Sequence, residues 1–351
     1  MSPTGKYRAE VLPRRSGRRN FGALRGFTLV EVLVAAAITL LLAGMLLALA
    51  TNVLTTWDRA AGTLDTESQA EVMMEQIAAD LEATTMRVDS QAWFAATVQV
   101  DQAGAGDGGM ADESWPTTAK PGGTASLQLV PASSQLADAR FGQAGVWLRF
   151  LTTQPDANDK ATSRSAPRVV AYQIVRRRAG AGYTYQFFRS QVRPGVTNST
   201  FSTGYDLFAA AYTTPNGTAQ NPGNVRRPNS QFLLGNNVID FGVKIFARAA
   251  DGSLVSVFPA NNAAAQSLVA TTDSAATPVG YAGNPVVRVF PAAAEVMLRI
   301  LTPGGATLIA NLEAGLTSPP AGVLFSDYWW RVAEANSRVF VRHVEFKSQP
   351  L

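Results

Sequence analysis

The longest apolar run in the chain extends from Phe27 to Ala50, and Glu31 is the only charge within it. At about 1.5 Å of rise per residue it makes a helix of roughly 36 Å, enough to cross a hydrocarbon core of about 30 Å. Beyond Ala50 the sequence turns polar but keeps a helical stripe. Ala70, Met74, Ile77, Leu81, Thr84 and Val88 recur at spacings of three and four, and the acids Glu67, Glu71, Glu75, Asp80 and Glu82 fall mostly off that stripe. No proline occurs between Pro13 and Pro116. The pattern therefore predicts one helix from Phe27 to Val88, about 90 Å long. Its first half is apolar all round, and its second half has one apolar face.

After Val88 the period changes to the alternation of strands. Runs bounded by turn residues lie at Trp93–Val100, Ala125–Val130, Gly145–Leu151, Arg168–Arg177 and Tyr183–Val192. Further runs lie at Val238–Arg248, Leu254–Phe258, Val286–Phe290, Ala294–Leu301 and Ser337–Phe346. Arg177–Gly182 and Asp251-Gly252 read as hairpin connections. Phe325–Asn336 reads as a short helix, with Ser326 or Asp327 as its N-cap. Gln102–Gly123, Thr153–Pro167, Pro194–Pro228 and Ala260–Pro285 read as long surface insertions. The expected fold is α+β, a transmembrane and stem helix packed on an antiparallel β-sheet head. The expected division is 1–26 leader, 27–50 transmembrane half, 51–90 amphipathic half and 91–351 head.

Charge changes this picture at the N-terminus. Lys6, Arg8, Arg14, Arg15, Arg18, Arg19 and Arg25 face only Glu10 within residues 1–26. That leader holds +6 of a net +4, leaving −2 for the rest. The basic pI of about 9.5 is therefore no argument for nucleic acid, which is not an expected partner. A basic segment before an apolar run keeps that end in the cytoplasm. A carboxylate inside such a run is expensive and marks a functional site.

Basic leader, Gly26, Phe27-Thr28-Leu29 and Glu31 stand in one register, which resembles the class III leader of type IV pilins and pseudopilins. The resemblance implies cleavage of the Gly26–Phe27 bond by a prepilin peptidase and methylation of the Phe27 amine. It also implies that Glu31 meets the N-terminal amine of a neighbouring subunit during filament assembly. The implied partners are the peptidase, other pilin or pseudopilin subunits, an inner-membrane assembly platform and the membrane itself. The implied location is the bacterial inner membrane, single-pass, with the head in the periplasm.

The head is similar, more weakly, to the J-type minor pseudopilins of type II secretion. The similarity lies in Phe232–Phe246, in Pro291–Leu301 and in Arg168–Val175. Trp329-Trp330-Arg331 and Asn336–Arg342 resemble instead pilin-like proteins encoded in clustered cassettes in Verrucomicrobia-type bacteria. With no cysteine, the disulfide-stapled loop of many major pilins is impossible, which leans towards a minor pilin or pseudopilin.

Catalytic chemistry finds no residues to carry it. His343 is the only histidine, reads as a strand residue and has no nucleophile elbow to accompany it. No zinc or phosphate-loop motif is present. Asp101, Asp107, Asp112 and Glu113 lack the fixed spacing of a calcium loop and read as solvated acids. Arg176, Arg177 and Arg178 read as a solubilising hairpin tip. Tyr328, Trp329 and Trp330 read as core. No enzyme, cofactor or metal is expected. The expected function is a subunit of a type II secretion or type IV pilus-like filament, at its tip or initiation complex. The alternative is a filament-borne or membrane-anchored module whose long loops bind a ligand or surface.

Overall fold

In the computed structural model, residues 27–86, 93–98, 135–141, 145–153, 168–179, 182–192, 232–249, 251–259, 267–270 and 291–347 are described. Two compact units divide the chain, Met1–Trp57 and Asp58–Leu351. Helix α1 (Leu29–Glu82) is 54 residues long. Its burial follows the expected stripe at Ala70, Met74, Ile77, Leu81 and Thr84, with Met73, Ala78 and Asp80 added. Val88 lies outside the described residues.

The helix stops at Glu82 rather than Val88, and no local breaker stops it. The Thr152 hydroxyl donates to the carbonyls of Asp80 and Ala83, at 3.0 and 3.3 Å, and the Thr153 hydroxyl donates to Ala83 at 3.2 Å. Thr84 then forms a β-bridge with Thr152. Side chains 70 residues away in sequence thus satisfy carbonyls that every helix C-terminus leaves open.

Among its described residues, Asp58–Leu351 holds ten strands: β1 (Phe94–Val98), β2 (Val146–Thr152), β3 (Arg168–Ala179), β4 (Gly182–Val192), β5 (Leu233–Asn236), β6 (Val238–Arg248), β7 (Leu254–Phe258), β8 (Ser267–Ala270), β9 (Pro291–Leu301) and β10 (Ser337–Glu345). They form a six-stranded sheet in the order β5-β4-β3-β2-β1-β8 and a four-stranded sheet in the order β10-β9-β6-β7. Every pairing is antiparallel. Both expected hairpins are present, closed by Ala179↔Gly182 and Arg248↔Leu254. In the second, Asp251 Oδ1 accepts from the Ser253 N–H at 2.9 Å and Gly252 takes φ +84°, a conformation that suits a residue without Cβ.

The chain changes sheets at Asn237, which has φ 62°. Asparagine tolerates this left-handed conformation better than most residues. Its N–H donates to Tyr185 in one sheet and its carbonyl accepts from Leu301 in the other, at 2.7 and 2.8 Å. Between the sheets, Phe94, Phe150, Tyr172 and Phe187 form an aromatic row with ring centres 5.8, 6.3 and 5.8 Å apart. Phe241 of β6 meets its end edge-on, 4.9 Å from Phe187. Met73, Ile77 and Leu81 of α1 belong to the same buried cluster.

Several expectations need correction. The insertion Ala260–Pro285 contains β8, whose partner is β1. A helix not foreseen, α2 (Pro303–Glu313), follows β9; Thr302 Oγ1 caps it by accepting from the Gly305 N–H at 3.1 Å, with Pro303 in the first turn. Helix α3 (Phe325–Ala335) starts after Leu324, with no side-chain cap from Ser326 or Asp327. The runs at 125–130 and 286–290, the insertions at 102–123 and 194–228, and most of 153–167 lie outside the described residues.

Candidate assembly site

Within Met1–Trp57, Thr28 fixes the start of α1. The Glu31 N–H donates to Thr28 Oγ1 at 3.3 Å and the Val32 N–H donates to the Thr28 carbonyl at 3.2 Å. Thr28-Leu-Val-Glu31 is thus an N-capping sequence with an acid at the third helical position, where the helix dipole favours negative charge. Phe27 precedes the cap and is 80% exposed. Gly26 lies outside the described residues.

From Phe27 to Ala50 every side chain is exposed, although the run reaches a mean hydropathy of 2.7. The Thr39 hydroxyl is already satisfied locally, donating to the Ala35 and Ala36 carbonyls at 3.0 and 2.9 Å. Such back-bonding suits a helix in an apolar medium, where no water offers a partner. Glu31 is the exception, since its carboxylate meets no cation or donor among the described residues. The first half of α1 is therefore an apolar cylinder long and apolar enough to cross a membrane, with one acid in its first turn that has no partner among the described residues.

Residues 24–47 match the family described as the prokaryotic N-terminal methylation motif. The leader is thus of the type IV pilin-like class III kind, and the long apolar helix followed by antiparallel sheets is a pilin-like α+β architecture. No curated protein and no solved structure matches the chain.

Two buried polar clusters in Asp58–Leu351 are not foreseen as clusters from the sequence. In the first, Asp80 of α1 is 0% exposed. Its Oδ2 accepts from Arg189 Nε at 2.6 Å and its Oδ1 from Arg189 Nη2 at 2.9 Å, and the Tyr172 hydroxyl donates to Oδ2 at 2.5 Å. This two-pronged pairing is the strong geometry for a carboxylate and a guanidinium. Burial, then the Asp80 carboxylate, pushes the Tyr172 phenol well above its ordinary value. Burial pulls Arg189 down, but the Asp80 hydrogen bond and neighbouring charges more than reverse that. The sequence did carry a faint signal, because Asp80 stands three residues after buried Ile77 and seven after buried Met73.

In the second cluster Glu313, the last residue of α2, accepts from the Tyr185 hydroxyl at 2.5 Å and from Trp329 Nε1 at 2.8 Å. Arg176 Nη2 lies 3.3 Å from its Oε2. Burial first, then Glu313, raises the Tyr185 phenol as well. Arg176 is therefore no solubilising tip: it is buried, ion-paired and stacked 3.6 Å over the Tyr183 ring. The side chains of Arg177 and Arg178 lie outside the described residues. Trp329 and Trp330 are core, as expected, and Tyr328 is half-buried against it. His343 is exposed on β10, its ring 6.4 Å from Phe246. Asp101, Asp107, Asp112 and Glu113 lie outside the described residues.

Proposed function

We propose that the chain is a minor pilin or pseudopilin, cut between Gly26 and Phe27 by a prepilin peptidase and methylated on the Phe27 amine. It is held in the bacterial inner membrane by the first half of α1, with the head in the periplasm. It enters a type II secretion or type IV pilus-like filament by packing that helix against those of neighbouring subunits and the assembly platform. The observation that carries this reading is the methylation motif on the uncovered apolar first half of α1, whose single charge has no partner among the described residues. A carboxylate buried among packed helices is tolerable only beside a cation. Cleavage at Gly26 creates one, the positive amine of Phe27, on each neighbouring subunit. Glu31 thereby sets the axial register of assembly. A bulky head, with ten strands among its described residues, suits the tip or initiating complex better than a densely repeated shaft.

The experiment is an intact mass and N-terminal sequence of the protein made in a bacterium with its own peptidase. A chain beginning at N-methylated Phe27 supports the proposal. Retention of residues 1–26, or cleavage near Ala48–Ala50, refutes it.

A further inference from the structure

Strand β10 ends the four-stranded sheet. The Phe346 N–H donates to the Ala292 carbonyl and the Thr302 N–H to the Asn336 carbonyl. Even-numbered residues of β10 therefore turn their backbone groups towards β9, and Ser337, Val339, Val341, His343 and Glu345 turn theirs away. These five residues present five N–H and five C=O groups without a partner among the described residues. Exposed edges are normally blunted by shortness, proline, a bulge, charged side chains or a covering helix; β10 carries Arg338, Arg342 and Glu345, and these charges make the edge selective rather than closed. The edge strands β5, β8 and β7 are four, four and five residues long. Strand β10 has nine residues, no proline and an unbroken register.

Helix α1 runs beside β10 in the same direction, because Glu67 pairs with Arg338 and Glu82 with Lys347. Between them lies an open groove of about 500 Å³ lined by Ala70, Glu71 and Met74 on the helix and residues 339–342 on the strand. Val341 is 46% exposed. Glu71 and Arg342 both line the groove, and neither has an ion-pair partner among the described residues.

We propose that the open edge of β10 takes up one extended strand donated by a different polypeptide, laid antiparallel in the groove with a base beside Glu71 and an acid beside Arg342. Main-chain bonds to the edge supply affinity, and the alternating side chains and two unpaired charges supply selectivity. A second copy fits poorly. A two-fold axis at Val341 would set the two α1 segments antiparallel, whereas chains anchored by the same N-terminal segment in one membrane present them in one direction. Exclusion of a second copy thus rests on the anchored reading above; the chemistry of the groove does not.

The test uses the full chain in detergent and a labelled synthetic peptide, acetyl-Thr-Val-Thr-Glu-Val-Lys-Val-Thr-Val-amide. With its central valine opposite Val341, its glutamate meets Arg342 and its lysine lies over Phe340 beside Glu71. Saturable binding is expected. N-methylation of the peptide amides that face β10 should weaken it about tenfold, the equivalent of one to two net hydrogen bonds. Val341→Pro, which removes an outward N–H and leaves the β9 ladder intact, should do the same. Arg342→Glu should reverse the preference between this peptide and its Glu/Lys-exchanged form, and serves alone should Val341→Pro fail to fold. Absence of saturable binding to the folded chain overturns the proposal, as does binding indifferent to N-methylation and to Arg342→Glu. Self-association of the chain abolished by Val341→Pro also overturns it, by assigning the edge to a second copy. Processing at Gly26 plays no part in these readouts, so a failed N-terminal assignment leaves them unchanged.

Discussion

Asp80→Ala probes how the second half of α1 is fastened. Asp80 is fully buried, and the side chain of Arg189 is only 12% exposed. Removing the carboxylate leaves that guanidinium without its bidentate acceptor and the Tyr172 hydroxyl without its own. Breaking a buried pair from one side costs about 3–5 kcal/mol, because the surviving charge stays desolvated. For a large domain that corresponds to a melting temperature lower by roughly 6–10 °C, at about 2 °C per kcal/mol. Tyr172→Phe keeps the ion pair and loses one hydrogen bond to a charged acceptor, so it should cost less, about 1.5 kcal/mol. Replacing both charges, Asp80→Leu with Arg189→Met, should recover most of the loss. The measurement is denaturant unfolding of the full chain in detergent, followed by near-UV circular dichroism and arranged as a double-mutant cycle. A cost below about 1 kcal/mol for Asp80→Ala, or single losses that simply add in the double variant, would refute the reasoning.

The two buried phenols predict an alkaline limit. Tyr172 and Tyr185 keep their protons in the fold beyond pH 10, whereas the unfolded chain releases both near pH 10. Their stabilisation is complete below pH 10 and falls above it by about 2.7 kcal/mol per pH unit, a slope that Tyr172→Phe should halve in pH-dependent unfolding curves. Gly242→Ala and Gly235→Ala should separate rigid from yielding neighbours. A Cβ on Gly242 falls 2.3 Å from the Phe141 ring, while one on Gly235 falls 2.4 Å from the Sδ of flexible Met73. The first should cost about 1–3 kcal/mol and the second clearly less, and equal losses would contradict this. Glu31→Val should leave cleavage at Gly26 intact while abolishing recruitment into filaments, measured by fractionating sheared surface material. Unchanged recruitment would remove Glu31 from the register role.

What the sequence reveals follows the range of the interactions involved. The first half of α1 is legible because one apolar medium acts on every residue from Phe27 to Ala50. Its cap is not: the pattern alone starts the helix at Phe27, and the role of Thr28 shows only in its bonds to the Glu31 and Val32 N–H groups. Strands such as β6 and β9 are legible from their alternation. The end of α1 is not, since Thr152 and Thr153 terminate it from another element. Helix α2 hides behind Pro303-Gly304-Gly305, which reads as a turn; burial of Ile309 and Leu312 outweighs the helix cost of two glycines. Strand β8 is four residues long and gains its identity only beside β1. Asp80 reads only as an acid off the stripe and Arg176 as a solubilising tip, because their partners, Arg189 and Glu313, lie over a hundred residues away. At the N-terminus, the Thr28 cap and Glu31 sit in the described first turn, while Gly26 lies outside it.

The fastening of α1 also has a mechanical meaning. The carbonyls near its C-terminus are held by hydroxyls of β2 and the following residue, and Asp80 grips Arg189 on β4. Both are interior strands of the six-stranded sheet, with neighbours on either side. Tension drawn along this part of the helix is therefore delivered to the middle of the sheet rather than peeling its rim. There it loads whole antiparallel ladders at once, such as the eleven residue pairs joining β3 and β4. A pull on this part of the helix therefore meets the resistance of interior strands rather than that of a single rim strand.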